Sequence, residues 1–145
     1  MDAYDIVMIN QLLASYVHLV DSHAWDRFDE LFVPDAELDY RLVHAPEVLH
    51  GLDAITSFFR AANHPSAHHC VNVYVYEDAG TMRVKSKFLV PYTRDRHSPH
   101  RWYGGDYDDV VVQTDAGWRF RSRICSARWQ YTTDPEPLPE HRSTW

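Results

Sequence analysis

Cysteine is nearly absent: the chain holds two, Cys70 and Cys125, each inside a strand-like run and without metal-ligand spacing. That excludes a disulfide framework and makes a reducing, cytoplasmic setting the expectation. Long apolar runs are missing as well. None approaches the roughly 18 residues that a membrane span needs, and Asp2, Asp5 and Asn10 near the start argue against a signal peptide. Positive charge is in deficit, with 14 Lys and Arg against 21 Asp and Glu and a net charge of −7. Attraction to a phosphate backbone or an anionic lipid surface is thereby disfavoured, so neither nucleic acid nor a membrane is an expected partner. Internal repeats and domain linkers are also lacking. Residues 1–145 therefore read as one domain, a length that buries a core without staples.

What the chain does have is aromatic side chains: five Trp, nine Tyr and six Phe. These can fill a core or line a cavity for a planar or polycyclic ligand. In residues 3–20, Ile6, Ile9, Leu13, Tyr16, Val17 and Val20 recur at three- and four-residue steps, the stripe of an amphipathic helix. Trp25, Phe28, Leu31 and Phe32 mark a short second helix stopped by Pro34. Ala36–Leu42 alternates as a half-buried strand with Tyr40 inward, and Asp53 can cap a third helix carrying Ile55, Phe58, Phe59 and Ala62. After Ala67 everything reads as sheet. His68–Tyr76 and Met82–Tyr92 flank a hairpin turn, a strand runs from Trp102 to Gln113, and Gly117 opens the last one. On that last strand the alternation sends Arg119, Arg121 and Arg123 to water and Trp118, Phe120, Ser122, Ile124, Ser126 and Arg128 inward. The stretch 131–145 reads as an irregular tail, with Trp129, Tyr131 and Trp145 as a candidate cover for a cavity mouth. Three helices followed by a long meander predict an α+β fold, a curved mixed or antiparallel sheet wrapping the helices into a cone with an open end.

Polar groups at inward positions or element ends are the candidates for chemistry: Tyr16, Asp21, Tyr40, Tyr92, Arg128, and either His68 or His69. A buried arginine needs a carboxylate, so Arg128 would pair with Asp21, Asp108 or a substrate group. A carboxylate beside an imidazole fixes its tautomer and supplies a base near neutrality, and nearby tyrosines can donate to an oxygen that becomes enolate-like. Such parts suit proton abstraction next to a carbonyl and loss of a β-hydroxyl. Blander roles compete. Asp21 and Ser22 stand where a cap for the Trp25 helix would be, and inward tyrosines often just pack. Strand parity leaves His68 and His69 undecided: the first shares a face with Cys70 and Asn72, the second with Val71, Val73 and Val75. A two-histidine, one-carboxylate metal site drawn from His68-His69, His23 and the pair His97/His100 is the rival use of the histidines, though Pro65 and Pro99 break the helical spacing of His64/His68 and His97/His100.

From about residue 8 to residue 130 the chain resembles scytalone dehydratase and the bile-acid dehydratases of the SnoaL-like, nuclear transport factor 2-like superfamily. The resemblance lies in Tyr16-Val-His-Leu-Val-Asp21-Ser-His-Ala-Trp25-Asp26, in Asp39-Tyr40-Arg41, and in Ala67-His68-His69-Cys70-Val71-Asn72. It implies a catalytic aspartate at Asp21, a catalytic histidine at His68, active-site tyrosines at Tyr16 and Tyr40, and a functional arginine at Arg128. The chain departs from scytalone dehydratase where that enzyme has a Val-Pro-His segment, here Val90-Pro91-Tyr92, and where its polar strand residues fall on Asp108 and Val110.

The expectation is thus a cofactor-independent dehydratase acting on a cyclic or polycyclic hydroxy-ketone, with no metal. Asp21, His68, Tyr16 and Tyr40 would be catalytic, and Tyr92, Arg128, Asp108 and Asn72 would bind substrate. An isomerase or cyclase of a polyketide- or steroid-like substrate is the nearest alternative. A non-catalytic binding protein or oxygenase small subunit is the alternative of another class. The expected partners are a hydrophobic or aromatic small molecule and further copies of the chain, a trimer ahead of a dimer.

Overall fold

The structure is a computed structural model and describes residues 1–43, 45–62, 64–65, 67–92 and 99–133. Helix α1 spans Ala3–Asp21. Its start is a reciprocal cap: the Asp5 N–H donates to Asp2, and the Asp2 N–H donates to the Asp5 carboxylate. Ile9, Leu12, Leu13, Tyr16, Leu19 and Val20 are its buried face, while Ile6 sits at the solvent margin. The helix stops where His23 takes a left-handed conformation, at φ 56°.

A 3-10 helix, Trp25–Glu30, buries Phe28, and strand β1, Phe32–Asp39, follows after the single residue Leu31. The strand starts earlier than Ala36, and Pro34 lies within it rather than ending a helix. Its missing N–H is tolerated because the ladder shifts register between Phe32 and Glu37. Tyr40 is buried just past the strand end, and Leu42 is exposed because the chain turns into a 3-10 segment, Arg41–Val43. After β2, Leu49–His50, helix α2 covers Leu52–Ala61. Gly51, at φ 85°, is its N-cap, not Asp53, which occupies the first turn where a negative charge favours the helix dipole.

Four long strands complete the chain: β3 His69–Asp78, β4 Thr81–Tyr92, β5 His100–Thr114 and β6 Gly117–Thr133. Ala79 and Gly80, both at positive φ, make the two-residue turn between β3 and β4 that suits sheet twist. The sheet order is β2-β1-β6-β5-β4-β3, antiparallel except where β1 returns to lie parallel to β6. The helical segments pack on this open six-stranded mixed sheet, which gives the expected α+β cone. Strand β6 runs on to Thr133, past the point where the tail was expected, and residues 134–145 and 93–98 lie outside the described residues. No helix among the described residues is long and apolar enough to cross a membrane.

The expected alternation along β6 fails, for a definite reason. Val110 pairs with Ser122 but Val111 pairs with Phe120, so Arg121 is an extra residue and the faces exchange there. Beyond it Arg123 and Cys125 are buried and Ile124 is exposed. A second extra residue, Arg128, bulges where the pairing steps from Gly104–Trp129 to Gly105–Ala127. Glycine is required at that step: a Cβ on Gly105 would stand 2.1 Å from the Ser126 carbonyl oxygen.

Candidate active site

A cavity of about 930 Å³ opens between α1, α2 and the concave sheet. Its walls include Tyr16, Tyr40, His68, Tyr92 and Arg128 of the residues singled out from the sequence, together with Phe58, Phe59, Phe88, Tyr103 and Tyr107. Its size stands at the upper end of the range for small-molecule sites.

At its wall, the end of α1 meets the start of β3. Asp21 reaches the chain just ahead of β3, where both carboxylate oxygens accept from the His68 backbone N–H at 3.1 Å. Oδ1 also contacts His68 Nδ1 at 2.5 Å. A carboxylate only accepts, so Nδ1 carries the ring proton and Nε2 keeps the lone pair. Burial pushes the His68 pKa below 6.5, against the opposing pull of Asp21, so the ring is neutral at pH 7. Asp21 therefore does not cap the Trp25 helix, whose N-cap Ala24 has no side-chain hydrogen bond, and Ser22 donates instead to the His18 carbonyl. His69 points away, exposed, with its Nδ1 at the Ala67 carbonyl. Of the two histidines that strand parity left undecided, His68 is the one that contacts Asp21 and lines the cavity.

The second group is a tyrosine pair. Tyr16 from α1 and Tyr40 from the end of β1 share a hydrogen bond of 2.6 Å between hydroxyls, both buried. Burial pushes the Tyr16 pKa up to about 12, moderated by the Arg123 charge, and burial also carries Tyr40 well above 10. Both stay protonated. Two hydroxyls sharing one bond leave one O–H free to donate to a ligand oxygen.

Beneath the pair lies a feature that alternation along β6 concealed. Arg123 is fully buried and gripped in two-pronged fashion by Asp109, at 2.8 and 2.9 Å. Its guanidinium lies 4.1 Å from the Tyr16 ring centre and 4.2 Å from those of Tyr107 and Phe120. Asp109 was open to detection, because Tyr107, Asp109 and Val111 alternate as the buried face of β5. Arg123 was not, since the Arg121 bulge leaves no mark in the sequence.

Three expectations are corrected. Arg128 pairs with neither Asp21 nor Asp108; as a bulge residue it is exposed, and its Nε donates to Asp106 at 2.8 Å while its side chain borders the cavity. Asp108 lies on the outer face of β5 opposite Lys85 and does not line the cavity. Asn72 occupies the β3 bulge at φ 54°, exposed and away from the cavity, because the bulge turns it outward. His64, in the connection after α2, is a cavity residue that sequence reasoning passed over. It stacks on Phe59 with ring centres 4.6 Å apart, and burial pushes its pKa down to about 4. Of the other histidines in the rival metal reading, His23 stacks on Trp25 and His97 lies outside the described residues.

A family model described as a SnoaL-like domain matches residues 2–124. An uncharacterized protein of Mycobacterium tuberculosis (strain ATCC 25618 / H37Rv) is 30% identical over 125 residues, covering 83% of this chain and 83% of its own. Among solved structures, a type 2 hexachlorocyclohexane dehydrochlorinase superposes with a TM-score of 0.77 at 13% identity, covering 97% of this chain and 99% of that one. A protein from Novosphingobium aromaticivorans DSM 12444, provisionally assigned as a scytalone dehydratase, gives 0.72 at 22% identity with 93% of each chain covered. At such identities the superpositions establish the fold, while the family match spans most of the sequence. The chain belongs to the SnoaL-like family, whose members include dehydratases and isomerases, and it has the fold of a nuclear transport factor 2-like protein.

Proposed function

We propose that the protein is a cofactor-independent lyase of the dehydratase type, acting on a cyclic or polycyclic hydroxy-ketone. The observation that carries this reading is the His68–Asp21 contact at the wall of an aromatic cavity, with a donor pair of tyrosines lining the same cavity. Neutral His68 takes, at Nε2, the proton from the carbon next to the carbonyl, and the electron pair moves into the carbonyl as an enolate. The free hydroxyl of the Tyr16–Tyr40 pair donates to that oxygen. Asp21 holds the ring and stabilises the imidazolium. When the enolate collapses, the carbon–oxygen bond to the β-hydroxyl breaks, and the proton on His68 leaves with it as water. One water is lost and one carbon–carbon double bond is formed.

Incubation with a panel of cyclic β-hydroxy-ketones, followed by mass spectrometry, tests the reaction class. Loss of one water is expected; a product of unchanged mass would assign isomerisation instead. His68→Ala and Asp21→Asn should each lower turnover by at least ~10²-fold, as for a lost general base or its orienting partner. Near-native rates in either purified variant would remove those roles.

A further inference from the structure

The cavity wall is selective in charge. The chain carries more acidic than basic residues and a net charge of −7, yet no Asp or Glu lines the cavity among the described residues. The formally charged lining residues are two arginines, Arg101 on β5 and Arg128 on β6. Arg101 is exposed, and its side chain makes no ion pair or hydrogen bond among the described residues. Arg128 shares Asp106 with Lys87, so two cations answer one carboxylate and a positive charge remains. The carboxylate behind the wall, Asp21, is committed to His68.

We infer that the cavity takes an amphipathic anion: a polycyclic body against its aromatic wall, with a carboxylate or similar oxyanion at the Arg101–Arg128 side, a substrate class that presupposes the active site proposed above. Arginine suits such a group because its planar fork donates in pairs to oxyanions. The sheet sets the ligand's length. His69 pairs with Leu89, and Val90 with Tyr103, so His68 stands level with Tyr103 two strands away. Arg101 lies two residues further along β5. At about 4.8 Å per strand and 3.4 Å per residue, that is roughly 10 Å across and 7 Å along, or about 12 Å between backbones. An anion anchored at Arg101 therefore puts the far end of a ring system, not its near end, against His68.

Two fluorescent probes with nearly the same rings test this: anilinonaphthalene sulfonate, which is anionic, and its uncharged parent phenylnaphthylamine. The native protein should bind the sulfonate about tenfold more tightly. In an Arg101→Gln/Arg128→Gln variant that preference should vanish with affinity for the neutral probe unchanged, whereas Arg101→Lys/Arg128→Lys should retain most of it. Equal affinity of the native protein for both probes overturns the inference, as does a preference that survives loss of both arginines. His68→Ala should leave the preference intact. Anion selectivity and dehydration chemistry are therefore read separately, and either can fail while the other stands.

Discussion

At the scale of single residues, the geometry assigns the proton. Asp21 accepts from Nδ1 of His68, and burial keeps the ring neutral, so the base form is the one present at neutral pH. The His68 pKa is depressed, so kcat/KM should be flat above 6.5 and fall on the acid side with a midpoint below that value. Asp21 is what raises the His68 pKa against burial. Asp21→Asn should therefore move the acid limb to still lower pH while lowering the plateau. A pH–rate profile of the variant with the limb unmoved would reduce Asp21 to a structural tie between α1 and β3. Sequence made Asp21, Tyr16 and Tyr40 visible as polar groups at inward positions or element ends, but strand alternation alone could not separate His68 from His69, and only the family resemblance favoured His68. The contact that sets His68 apart comes from a helix residue 47 positions earlier, and alternation along one strand carries no record of it.

At the scale of elements, β6 shows how one inserted residue rewrites a face. With perfect alternation Arg123 would be solvated; the extra Arg121 turns it inward, where Asp109 meets it. The pair is fully buried, and such a pair gains from mutual attraction about what it loses in desolvation. Removing one partner is a different matter, because the remaining charge is stranded among Tyr16, Tyr107 and Phe120. Asp109→Leu alone should cost about 3–5 kcal/mol of stability, and the double variant Asp109→Leu/Arg123→Met should recover most of it. Denaturant unfolding of the four proteins of that cycle measures the coupling. A double variant as unstable as the single one would mean that the guanidinium's ring contacts, not its charge, hold the core together. The helices were easier to read, since a wide apolar stripe survives a shifted end: α1 came within a residue of its limits, whereas β1 was placed late by taking Pro34 as a stop.

At the scale of the whole molecule, helices first and sheet afterwards made the α+β class legible, because each local period points to its element. The parallel return of β1 onto β6 was not legible, since it depends on a contact between distant strands that neither period encodes. The same long-range closure buries histidines around the cavity and ties the fold's stability to pH. His64 is stacked on Phe59, beside Trp25 and Phe58, with His68 and His23 as its charged or chargeable neighbours. Its pKa falls from 6.5 to about 4 on folding, and that of His68 falls as well. Below pH 6.5 the unfolded chain binds protons at these positions and the folded chain does not, so acid favours unfolding. The contribution is complete above pH 6.5 and is lost as pH falls from 6.5 toward 4. Burial raises the Asp109 pKa, a shift of opposite sign, so the histidine share of the slope is read from a variant that cannot take the proton. The urea midpoint of the native protein should fall over that range. His64→Phe, which keeps a ring on Phe59 but cannot take a proton, should show a shallower fall; an unchanged slope would place the acid sensitivity elsewhere in the molecule.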